Sequence, residues 1–212
     1  MQRHGRLLLC VLTCMGGALL TSCQAQTSHT AGTPTRVVPG AQVPLVRSLP
    51  MVAMAAPMVI EFDLQRPSEN ATATLFLGLR VAGEDGLKSL EAAQAVRRSG
   101  LDAELVLKRL EPQGNINVPL VRVDSQAGVP ARIVAVSTDG LIHGMWLDDV
   151  DKRSLQSAGL DSARRHYTQL AFAWAQDVQP GKYQLSIRLP NPPTQLASTE
   201  SELLVAYRHK SK

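Results

Sequence analysis

Thiols are scarce in this chain, and their placement matters more than their number. The three cysteines are Cys10, Cys14 and Cys23, so nothing after residue 23 carries a thiol. That excludes disulfides, thiolate nucleophiles and cysteine-ligated metals from the bulk of the chain. A domain of this length can bury a core sufficient to do without such staples. Aromatic side chains are also few, at 4% of residues, which argues against a sugar-stacking groove lined for glycoside hydrolysis. Catalytic motifs are missing as well. His29, His143, His166 and His209 include no pair at the helical spacing of a zinc site, and no Gly-x-Ser-x-Gly elbow or phosphate-cradling glycine loop occurs. The net charge is only +4, and it falls to +2 without Arg3 and Arg6. No basic stripe with interleaved aromatics is present, so nucleic-acid binding is not expected. These absences predict a non-enzymatic chain with no cofactor.

What is present begins at the N-terminus. Arg3 and Arg6 precede an apolar run from Leu7 to Leu12 that continues past Thr13 to Leu20. The run falls short of the ~20 apolar residues that span a bilayer, and Gly16-Gly17 weakens it further. This predicts a cleaved export leader over residues 1–22. The residues Leu20-Thr21-Ser22-Cys23 then resemble the bacterial lipobox. Small residues let the peptidase reach the backbone beside Cys23, and the thiol receives a diacylglycerol thioether before cleavage. Two or more acyl chains at about 0.8 kcal/mol per CH₂ give stable anchoring. The resemblance implies lipidation at Cys23 and membrane attachment through it. Gln24 replaces the aspartate of the inner-membrane retention signal, which implies an outer-membrane address facing the periplasm.

From residue 23 to 57 the chain is rich in Thr, Pro, Ala and Gly, with Pro34, Pro39, Pro44, Pro50 and Pro57 at short intervals. Each proline blocks a helix and biases its predecessor toward extension. The segment is expected to be a tether, although Val43 to Met58 is apolar enough for part of it to dock on the domain. The domain is expected over residues 58–212. Its segments alternate at period two, the mark of strands with one buried face. Ile60, Phe62 and Leu64 form one inward row, and Leu75, Leu77, Leu79 and Val81 the next. Strands are also expected over 103–110, 116–123, 132–137, 170–174, 183–189 and 202–207. Asp-Gly at 139–140 is a hairpin signal, because it tolerates the positive φ of a tight turn. Leu87 to Arg98, with Leu87, Leu90, Ala93 and Val96 at helical spacing and Gly100 as a stop, predicts a helix. A second, short helix is expected within 149–158.

Seven or eight strands separated by frequent turns predict a mainly β fold, an immunoglobulin-like β-sandwich with one or two helical insertions. The Pro180-Gly181-Lys182-Tyr183 corner is its most pointed feature, with the tyrosine expected in the core and its hydroxyl on corner backbone. Together with Ile60-Glu61-Phe62-Asp63-Leu64, Leu75-Phe76-Leu77-Gly78-Leu79-Arg80 and Leu189-Pro190-Asn191-Pro192-Pro193, the layout resembles uncharacterised proteobacterial lipoproteins. These carry a single immunoglobulin-like or transthyretin-like sandwich behind a lipobox. The resemblance implies a fold and no catalytic residue. By architecture it implies a protein-binding lipoprotein, such as an immunity protein against a secreted interbacterial toxin; the alternative is an accessory of an envelope or secretion complex.

Two clusters remain as candidate sites. Asp148, Asp149 and Asp151 place three carboxylates within four residues, and hard oxygen ligands suit Ca²⁺. The spacing departs from the EF-hand, and a solvated loop balanced by Lys152 and Arg153 accounts for it as well. His143 and Trp146 stand beside it as a recognition patch at a loop end. The plainer alternative for Trp146 is a core tryptophan on a strand.

Overall fold

Period-two alternation becomes real pairing in a computed structural model that describes residues 41–125, 128, 130–161 and 164–210. The leader, Cys23 and residues 23–40 of the expected tether lie outside the described residues. The first strands are β1 (Ala41–Gln42), β2 (Leu45–Ser48), β3 (Met58–Leu64) and β4 (Ala71–Gly83). Helix α1 (Gly86–Arg98) leads to β5 (Asp102–Leu110), β6 (Ile116–Asn117), β7 (Val121–Asp124), β8 (Arg132–Ala135), β9 (Leu141–His143) and β10 (Trp146–Leu147). Helix α2 (Lys152–Ser157) is followed by β11 (His166–Ala175), β12 (Gly181–Arg188) and β13 (Ser201–His209). The protein is mainly β, in two sheets with few helices. Thirteen strands among the described residues replace the seven or eight expected.

One sheet runs β1-β3-β12-β5-β6, with β9 also paired to β5. The other runs β2-β13-β4-β11-β7-β8, with β10 paired to β11. The expected inward rows meet between them. Ile60, Phe62, Leu64, Tyr183, Leu185 and Ile187 of the first sheet share a core with Leu75, Leu77, Leu79, Leu203 and Val205 of the second. Burying a Leu, Ile or Phe side chain contributes about 1.5–3 kcal/mol, so these rows dominate the fold's stability.

The second sheet is buried on its outer face too. Phe76, Ala171, Trp174, Leu204 and Ala206 form a second apolar cluster under Val150 and Leu155. This explains why Leu75 to Val81 is nearly continuous in burial where simple alternation predicts one wet face. Within the strand expected over 170–174, Leu170, Phe172 and Trp174 alternate with alanines in sequence but do not share one face. The register of β11 against β4 shifts between Ala171 and Ala173. That bulge sends Phe172 into the inter-sheet core and Trp174 to the outer cluster.

Four further expectations change. The boundary at 58 moves, because within the expected tether β1 lies parallel to β3, β2 pairs with β13, and Leu45, Leu49 and Met51 are buried, the docking that its apolar stretch from Val43 allows. The single strand over 116–123 divides at Pro119, so β6 joins the first sheet and β7 the second. The Asp139-Gly140 turn forms, with Gly140 at φ 76°, yet it links strands of different sheets and closes no hairpin. In α1 the buried residues are Ser89, Ala93 and Val96, whereas Leu87 is 64% exposed. Ser89 is drawn in because its hydroxyl lies 3.0 Å from that of Thr168 on β11. Asp85 caps α1 by accepting from the Lys88 N–H at 2.7 Å, and Gly100, at φ 69°, follows its end.

Candidate functional site

A cleft of about 510 Å³ opens where the last turn of α1, strand β7 and the β9–β10 turn converge. Arg97 and Arg98 come from the helix, Arg122 and Asp124 from β7, and His143 and Trp146 from either side of the turn. Each arrives for a local reason. Arg97 and Arg98 occupy the C-terminal turn, where cations complement the helix dipole. Gly144, at φ 73°, lets the chain bend as it passes from β9 in the first sheet to β10 in the second, and both His143 and Trp146 line one opening. The proposed patch of His143 and Trp146 is therefore brought together. Trp146 sits half-buried, its ring against the outer apolar cluster, so core packing and cleft lining coexist in it.

The charges here are unbalanced. Asp124 faces Arg122 at 3.6 Å and Arg132 at 3.5 Å, one carboxylate between two guanidinia. The Arg97 guanidinium lies over the Trp146 ring, 5.8 Å from its centroid, in cation–π range. Arg98 reaches Gln94 at 3.4 Å. His143 Nδ1 lies 3.0 Å from Asp102 Oδ1. An ionised carboxylate only accepts, so in this contact the imidazole donates from Nδ1. The arrangement can bind an anionic group through its arginines, with the Asp124 carboxylate beside it as a hydrogen-bond acceptor.

The acidic loop behaves differently. Trp174 Nε1 donates to Asp148 Oδ2 at 2.7 Å, and Arg208 Nε meets the same oxygen at 2.8 Å. Asp151 is buried as the N-cap of α2, accepting from Ser68 Oγ at 2.6 Å, from the Arg153 N–H at 3.2 Å and from Ser154 Oγ. Burial is the largest single influence on the Asp151 carboxyl and pushes its pKa up. The hydroxyls of Ser154 and Ser68 and the backbone donors together outweigh it and hold the group below its ordinary value. Asp149 is exposed, and its carbonyl accepts from the His209 N–H at 3.0 Å. The Asp148 and Asp151 carboxylates thus enter separate structural contacts while that of Asp149 is exposed, and among the described residues no group of three or more His, Cys, Asp or Glu side chains is placed to hold a metal. Of the candidate Ca²⁺ set Asp148, Asp149 and Asp151, the first ties the loop to Trp174 and Arg208 and the last caps α2.

The three cleft arginines were not among the sequence candidates. Arg97-Arg98 before the Gly100 stop signals a helix end, and nothing in a linear pattern shows that Arg122 lies opposite. A second recess, about 290 Å³, is lined by Leu105, Leu107, Val118, Leu120 and Val136 and carries no charged side chain. No helix among the described residues is long and apolar enough to cross a membrane.

No protein-family model matches the chain, and no curated protein matches it in sequence. Among solved structures, the crystal structure of a Sulfurospirillum deleyianum protein is similar at 10% identity, covering 79% of this chain and 99% of that one, with a TM-score of 0.37. A likeness that distant transfers neither topology nor function.

Proposed function

We propose that this chain is a non-enzymatic, protein-binding lipoprotein of the bacterial envelope. An acylated Cys23 holds it at the outer membrane, facing the periplasm, and an immunoglobulin-like sandwich presents the Arg97–Trp146 cleft to a partner protein. Its specific form is an immunity protein that captures a secreted interbacterial toxin.

The observation that carries this reading is the composition of the cleft. Three arginines gather beside a half-buried tryptophan in one concavity. Arg and Trp are the residue types that dominate binding hot spots, because each combines a broad contact face with directed hydrogen bonding. The immunoglobulin-like assignment is supported by Tyr183, whose buried ring stacks near Phe62 at 5.9 Å while its hydroxyl donates to the Gln179 carbonyl at 2.7 Å. That bond back to a carbonyl four residues upstream resembles the tyrosine corner of such sandwiches.

The test is affinity capture by the full-length chain from detergent-extracted envelope and secretome, beside a variant carrying Arg97→Glu and Arg98→Glu. The expected result is a secreted toxin retained by the parent chain and lost by the variant. Equal retention by both chains, or an envelope assembly protein in the toxin's place, overturns the respective part of the reading. Growth with radiolabelled palmitate, comparing the parent with Cys23→Ser, tests the anchor separately.

A further inference from the structure

We infer that the ligand of this cleft is an acidic peptide segment, one that offers carboxylates together with backbone N–H groups. The inference rests on the protein-binding reading and names what the partner must present.

The cations are available for such a ligand because other groups perform the structural tasks they stand near. At the end of α1 the Ser99 N–H donates to Ala95 O at 3.0 Å and Ser99 Oγ to Val96 O at 2.6 Å. Capping therefore falls to Ser99, and Arg97 and Arg98 remain exposed. Asp124 is shared between Arg122 and Arg132, so it neutralises at most one of them. The lining keeps a positive excess, and planar guanidinia match carboxylate oxygens in bidentate geometry.

The same walls also hold an acceptor carboxylate. Asp124 lines the opening and has lone pairs beyond its two arginines. A phosphate or lipid headgroup brings oxygens alone and would meet that carboxylate unfavourably. A peptide brings carboxylates for the arginines and N–H groups for Asp124. Shape agrees: a half-buried Trp146 in a concave wall is no projecting wedge for a bilayer, whereas it offers a peptide side chain a flat apolar rest.

The experiment uses the full-length chain reconstituted in phosphatidylcholine vesicles, with fluorescence anisotropy of a labelled glutamate-rich octapeptide. The expected result is saturable binding that weakens with salt, and at least tenfold weaker binding of the glutamine counterpart. Arg98→Glu is expected to weaken it at least tenfold, about 1.4 kcal/mol, whereas Arg66→Glu, exposed and outside the cleft, leaves it unchanged. Arg98 is exposed at a helix end, so this variant keeps the core intact, and Arg97→Ala supplies a second reading of the same surface. Equal affinity for both peptides, or indifference to Arg98→Glu and Arg97→Ala, overturns the inference. So does tight competition by inorganic phosphate, or a tryptophan emission change on adding phosphatidylglycerol to the vesicles without peptide binding. If peptide binding fails while the double arginine variant still loses the captured protein, this inference falls and the protein-binding reading stands. If that variant retains the captured protein, the reading itself has failed.

Discussion

The indole nitrogen of Trp174 donates to Oδ2 of Asp148 across 2.7 Å, joining a β11 side chain to the acidic loop on the outer face of the second sheet. Arg208 of β13 closes on the same oxygen, and the Asp151 N–H donates to Tyr207 O at 3.0 Å. The loop that looks like a cation site in sequence is a seam holding α2 over Phe76, Trp174 and Leu204.

Removing that acceptor should therefore cost stability. Asp148→Ala leaves a largely buried indole N–H unpaired and is expected to destabilise by about 1–3 kcal/mol. Asp148→Asn keeps a carbonyl acceptor and should recover part of the loss. Asp149→Ala, at an exposed side chain, should stay within about 0.5 kcal/mol. Urea midpoints of the three variants check this; an Asp149 effect as large as that of Asp148 would refute the seam.

How far the sequence foretold this arrangement depends on whether a pattern is local. Ile60-Phe62-Leu64 and Tyr183-Leu185-Ile187 were legible because alternation records which face of a strand is dry. The Tyr183 hydroxyl bond was legible because its partner lies four residues away. The face of Trp174 is not legible, since a bulge adds one residue of phase without a sequence marker. The cleft was only half legible. His143 and Trp146 are near neighbours, but Arg97, Arg98 and Arg122 join them by sheet topology, which linear spacing does not encode.

Arg80 carries the most buried guanidinium among the ion pairs. It is 6% exposed, pairs with Glu202 at 2.7 Å, donates to the Leu160 carbonyl at 2.5 Å and lies 4.1 Å from the centroid of the Tyr167 ring. Glu202→Ala strands that charge, and breaking a buried pair from one side costs about 3–5 kcal/mol. Partial exposure of Glu202 places this case at the lower end. Glu91→Ala, which breaks the exposed Lys88–Glu91 pair, should cost less than about 1 kcal/mol. Thermal denaturation of both variants tests the contrast, and similar losses would contradict it.

The bulge in β11 carries its own requirement. A Cβ at Gly78 would stand 2.1 Å from Leu170 O and 2.8 Å from Ala171 Cα, both backbone atoms of the neighbouring strand. Backbone cannot rotate aside as a side chain can, so Gly78→Ala must force β4 and β11 apart. The expected loss is about 3 kcal/mol, the upper range for overpacking, with poor soluble yield as its first sign. Gly86→Ala, where nothing lies within 4 Å, should be neutral or slightly stabilising at the start of α1. Equal behaviour of the two alanines would remove the close approach as an explanation.

Alkaline unfolding should trace to Tyr207. Burial, with a smaller contribution from Tyr183, pushes its phenol up to about 12, and its hydroxyl donates to the Gln65 carbonyl. The folded chain thus holds the proton more tightly than the unfolded chain, whose tyrosines ionise near pH 10. Stability from this group is complete below about pH 10 and is lost as pH rises toward 12, because ionisation then favours the unfolded state. Two units correspond to a loss on the order of 2–3 kcal/mol across that window. Tyr207→Phe should cost about 1 kcal/mol at neutral pH through the lost hydrogen bond. In exchange it should flatten the decline between pH 10 and 12, leaving the slopes from Tyr183, which burial raises, and from Lys88, which its hydrogen bond to Glu91 raises. Chemical denaturation of both chains across that range measures the difference, and parallel profiles would show that Tyr207 does not set the alkaline limit.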